Sequence, residues 1–108
     1  MSKFDEFINV LGSELINYAK DSWQEYESQA VNDGNDFFDK LKADLMTWSQ
    51  QVSDGKLSED ELKWLVKGKM DLAQLKALKQ AGLAQIGCDK FINGLISIVV
   101  STLFKVFL

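Results

Sequence analysis

Residues 89–108 read DKFINGLISIVVSTLFKVFL, and the fold of the chain turns on how they are buried. Wound as a helix, successive side chains point about 100° apart. Asn93, Ser97, Ser101 and Lys105 then recur at every fourth position, with Gly94 beside them, and make one narrow polar stripe. Phe91, Ile92, Leu95, Ile96, Ile98, Val99, Val100, Leu103, Val106 and Phe107 cover the rest. A surface helix needs an apolar arc of little more than about 100°. This arc is roughly twice as wide, so one neighbouring helix cannot cover it. Left in water, such a face drives association.

Three burials follow. The helix can lie in the middle of its own bundle, pack against a copy of itself or a helical partner, or enter a membrane as an anchor. Phe91–Leu108 is just long enough to span a bilayer. Its four-residue polar stripe and the lack of a following basic flank weigh against that. Ile98–Val100 and Val106–Phe107 also suit a strand, but no second strand-like segment exists to pair with them. The expectation is an all-α fold: a small antiparallel bundle of three to four helices in one domain, residues 1–108, with a strongly apolar C-terminal helix.

Composition narrows the function. At 108 residues the chain can bury one modest core. Proline is absent, which suits long helices. Histidine is absent too, which removes the usual general base and the commonest metal ligand. Cys88 is the only cysteine. No internal disulfide or zinc–cysteine site can form, and a reducing, cytoplasmic setting is expected, with Cys88 as a buried filler. The first residues, MSKFDEFINV, carry acids within their apolar stretch and do not read as a secretion signal.

Charge is divided. Residues 1–61 hold 5 Lys and 14 acidic residues, a net −9; residues 62–108 hold 7 Lys and 2 Asp, a net +5. All twelve basic residues are Lys. Without the arginine fork that reads guanine and clamps phosphate, and with a net charge of −4, nucleic-acid binding is not expected.

Apolar spacing predicts a first helix from Ser2 to Ala30, through Phe4, Phe7, Leu11, Leu15, Ala19 and Tyr26. Trp23 falls at the edge of that stripe, where packing is expected. Asn32-Asp33-Gly34-Asn35-Asp36 reads as a break. A second helix follows over Asp36–Val52 through Phe37, Phe38, Leu41, Leu45 and Trp48.

Asp54, Gly55, Leu57 and Glu61 resemble the second half of a calcium-binding EF-hand loop. Gln50 and Val52 stand where the first carboxylate ligands of that loop belong, so the resemblance implies half a ligand set. The same letters have a structural reading. Gly55 ends helix two, Ser58 and Glu61 form a capping box, and Leu57 and Leu62 form a hydrophobic staple.

A third helix is predicted from Ser58 to Ile86. One side carries Leu62, Leu65, Val66, Leu72, Ala73, Ala77, Leu83 and Ala84; the other carries Trp64, Leu75, Leu78 and Ile86. Trp64, Leu75 and Ile86 are eleven apart, as are Leu62, Ala73 and Ala84, a spacing that keeps columns straight along a helix. Gly82 and Gly87 weaken the helix, and a break or sharp bend near Gly87 is favoured over one continuous helix from Glu59 to Leu108.

No catalytic constellation, glycine-rich phosphate loop, cofactor motif or metal cluster stands out, and no enzyme is expected. The expected function is a non-enzymatic interaction or assembly module that associates with itself or a helical partner. The expected surface is Trp64, Leu75, Leu78 and Ile86 from helix three with Phe91, Leu95, Ile98, Val99, Leu103 and Phe107 from the C-terminal helix. The alternative is a peripheral or tail-anchored membrane protein, such as a small toxin or membrane-remodelling factor, suggested by the basic, apolar rear half.

Overall fold

A computed structural model describes residues 2–70 and 75–108. It is all-α, with no strand among the described residues. The elements are α1 (Lys3–Ser22), a 3₁₀ turn (Gln24–Tyr26), α2 (Glu27–Ser53), α3 (Glu59–Lys69), α4 (Lys76–Gln80) and α5 (Gln85–Phe107).

The α5 helix is the central piece, packed against α1, α2 and α3. Asn93, Ser97, Ser101 and Lys105 are exposed, while Phe91, Leu95, Val99 and Leu103 are wholly buried. Beyond the exposed first turns of α5, the polar stripe is therefore the strip that its neighbours leave to water. The wide apolar arc is satisfied by three helices of the same chain. Phe7 meets Phe107 at one end of α1 and Tyr18 meets Phe91 at the other, so α1 and α5 run antiparallel.

The start of α1 follows its sequence: the Ser2 hydroxyl accepts the Asp5 amide N–H, with Asp5 and Glu6 in the first turn. Its end does not. The chain leaves the helix at Trp23, not at Ala30, and the indole turns inward against Tyr18 and Phe91. An indole is a large apolar payload, and burying it offsets the interrupted helix.

The predicted break at 32–36 is the second correction. Those residues lie inside α2, which runs unbroken for 27 residues. Two tertiary contacts override their turn propensity. A Cβ on Gly34 would stand 2.6 Å from Leu15 Cδ1, so glycine here admits the α1 side chain. Asp33 is buried and accepts hydrogen bonds from the backbone N–H groups of Ala77 (3.1 Å) and Leu78 (2.8 Å). Its carboxylate serves the first turn of α4, a helix 44 residues away.

Gly55, with φ +74°, closes α2, and the Lys56 N–H reaches back to the Gln51 carbonyl. Ser58 and Glu61 then form the capping box: Ser58 Oγ accepts the Glu61 N–H and Glu61 Oε1 accepts the Ser58 N–H.

The long third helix is the third correction. It stops at Lys69, and α4 and α5 follow as separate helices. Gly82, at φ +96°, provides the left-handed turn before α5. Gly87 lies in the first turn of α5, beneath the Leu83 side chain, so the chain turns five residues earlier than expected. The eleven-residue columns do not exist as such. Trp64, Leu75 and Ile86 sit in α3, before α4 and in α5. Leu72 and Ala73 lie outside the described residues.

Candidate functional site

The ten residues expected to form an association surface divide sharply. Leu75, Leu78, Phe91, Leu95, Val99 and Leu103 are buried in the chain's own core. They are corrections: an apolar side chain enclosed by its own bundle offers nothing to a partner. Ile98 and Phe107 are half-buried. Only Trp64 and Ile86 are open to solvent, at 76% and 84% exposure. They lie on different helices, and no continuous surface made of the ten exists.

Trp64 has company that the wider pattern hid. Leu57, Asp60, Glu61, Trp64 and Leu65 line a shallow groove of about 440 Å³. The helix period explains the arrangement. Asp60 and Trp64 are four apart, as are Glu61 and Leu65, so two adjacent rows of α3 form the groove. Leu57, just before the capping box, joins the lining. Leu57 and Leu65 are half-buried against the core, and the Trp64 indole beside them is mostly in water. The backbone beneath is fixed by the Ser58–Glu61 box.

The charges of this groove are one-signed. Asp60 and Glu61 line it, and no lysine does. The hydrogen bonds from Ser58 hold the Glu61 carboxyl below its ordinary pKa, so it is ionised at neutral pH. Lys63 and Lys67 are exposed on α3 outside the groove, and Lys69 pairs with Asp44 of α2 at 3.7 Å. That exposed pair contributes little to stability.

A second cluster lies where α1 meets α5. The Tyr18 ring stacks on Phe91 at 5.8 Å and meets the Trp23 edge at 6.3 Å. Its hydroxyl donates to the Lys90 and Phe91 carbonyls at 3.4 and 3.3 Å. A Cβ on Gly94 would fall 2.0 Å from that hydroxyl, so Gly94 is the slot into which Tyr18 fits. Burial raises the Tyr18 pKa, partly opposed by the nearby Trp23 side chain. The buried Trp23 Nε1 has no acceptor in hydrogen-bonding geometry. The cluster packs two helices together and presents no reactive group.

The remaining chemistry-bearing residues are used structurally. Cys88 is buried, its Sγ 3.9 Å from the Leu83 carbonyl. Asp54 caps the end of α2 and accepts a hydrogen bond from the Gln50 side-chain amide at 3.2 Å. Among the described residues, no three His, Cys, Asp or Glu side chains converge as a metal site. The α5 helix is long and apolar enough to cross a membrane by length and composition, a test that core helices of water-soluble bundles also pass. No protein-family model, curated protein or solved structure matches the chain.

The sequence reading singled out Trp64 but assigned it the wrong neighbours. Asp60 and Glu61 were legible as the i, i+4 partners of Trp64 and Leu65, whereas Leu57 precedes the helix and joins the groove through the turn before Ser58. Asp33 had no local signal, because its ligands are backbone amides 44 and 45 residues downstream.

Proposed function

We propose that this protein is a non-enzymatic helical interaction module, and that recognition falls to the outer face of α3 rather than to the C-terminal helix. One observation carries the reading: Trp64 is 76% exposed on a bundle that buries its other two tryptophans. A bare indole on a capped, well-anchored helix costs solubility and adds no core. Tryptophan is also, with tyrosine and arginine, enriched among the residues that dominate protein interfaces. The half-buried Leu57 and Leu65 supply an apolar floor beside it.

A photo-crosslinking residue placed in cells at exposed Lys67, one turn along α3 from Trp64, with a matching one at exposed Asn17 as control, tests the proposal. A discrete protein adduct at 67 and none at 17 is the expected result. Adducts only to lipid, or none at either site, would overturn it.

A membrane reading is supported by one feature, the length and apolar composition of α5. It requires α5 to leave α1, α2 and α3, since those helices cover its apolar face. Co-sedimentation with anionic vesicles, with release of Phe91 from its buried position read through Trp23 fluorescence, is its test.

A further inference from the structure

Resting on the reading of α3 as the recognition face, we infer that the groove at Trp64 takes a cationic amphipathic helix, one that offers an apolar anchor flanked by lysine or arginine. The floor and the rim argue this separately. The floor is apolar: Leu57, Leu65 and the face of the Trp64 indole. It can accept one large aliphatic or aromatic side chain, the usual mode by which an amphipathic helix docks in a groove. The rim is anionic: Asp60 and Glu61 line the groove and no basic side chain does. Glu61 is held ionised by its capping bonds, so this charge is fixed in place before any partner arrives. The indole face also attracts a cation set over it. An acidic segment would meet Asp60 and Glu61 as like charges, and an anionic bilayer would meet the same repulsion. A neutral apolar helix would leave the two carboxylates desolvated without partners.

The test uses an 18-residue, Trp-free amphipathic helix of Leu and Lys with one central Phe anchor, a Leu/Glu version of the same pattern, and vesicles of phosphatidylglycerol. Binding is followed through Trp64 emission in a Trp23→Phe, Trp48→Phe background, with the fold of that variant checked by circular dichroism. The Leu/Lys peptide should bind saturably and shift Trp64 emission to the blue. Asp60→Lys should weaken it at least tenfold, and raising the salt from 50 to 500 mM should weaken it further. Asp60 is exposed and lies outside the capping box, so the fold survives its replacement. Equal binding of the Leu/Glu peptide, no change on Asp60→Lys, or binding to vesicles alone would overturn the inference. The crosslinking experiment stands apart. A protein adduct at 67 whose contacting segment is acidic would sink the charge argument and leave the interaction reading intact, whereas loss of the adduct would sink both.

Discussion

The α5 and α3 helices have opposite compositions and opposite fates. The former is the most apolar segment of the chain, yet beyond its exposed first turns, where Gln85, Ile86, Asp89 and Lys90 meet water, it exposes only Asn93, Ser97, Ser101 and Lys105. The latter is mostly charged, yet it carries the bare Trp64. The difference teaches that the width of an apolar arc reports how many neighbours a helix has. Three helices cover α5, and they are its own. A candidate partner surface is better sought where a large apolar side chain is left over after the core is complete. That place is the polar helix.

Substitutions on the two helices should separate these roles. Phe91→Ala on α5 should have the largest effect, about 3–5 kcal/mol of lost stability, because the ring is fully enclosed and touches Tyr18 and Trp23. Urea unfolding measures it. If the loss were under about 1 kcal/mol, α5 would not be the centre of the bundle.

Gly94→Ala should cost about 1–3 kcal/mol, since its methyl would occupy the place of the Tyr18 hydroxyl. Tyr18→Phe in the same chain should recover part of that loss, and a double-mutant cycle would expose the coupling. Additive losses would contradict the contact.

Tyr18 also gives the α1–α5 seam a pH dependence. Its folded pKa is raised by burial above the ordinary value of 10.0, so its stabilising contribution is complete below pH 10 and is lost as the pH climbs through the raised value. Unfolding followed from pH 8 upward should therefore show a steeper alkaline decline in the parent than in Tyr18→Phe. Identical profiles would remove Tyr18 from the account.

Trp64→Ala on α3 should have the smallest effect on the fold, within about 0.5 kcal/mol, because the indole is mostly in water. The same change should abolish binding of the Leu/Lys peptide. A large stability loss would show that Trp64 serves the core, and the contrast between the helices would fail.

Much of the fold was legible where a signal was local. The polar stripe of α5, the Ser2 cap, the Gly55 stop and the Ser58–Glu61 box all came from spacing and capping chemistry within a few residues. The misreadings share a physical cause. Asn32–Asp36 has turn letters, but Gly34 and Asp33 answer Leu15 and the start of α4, partners far off in sequence. Trp64, Leu75 and Ile86 align at elevenfold spacing only if the helix is continuous, and Gly82 turns the chain between the last two. Trp64 and Ile86 both came from that column, yet they end up exposed on separate helices. Which apolar residues stay exposed depends on tertiary coverage, which spacing does not contain.

The Asp33 carboxylate has a consequence for how the molecule opens. With five residues, α4 is too short to persist as an isolated helix in water. Its first turn is tied to a side chain of α2, and Leu78 is sunk into the core. Segment 75–80 should thus behave as a small foldon that detaches before the bundle yields. Deuterium should enter the amides of Ala77 and Leu78 ahead of those in the middle of α5, and Asp33→Asn should hasten that uptake while leaving α5 as slow as before.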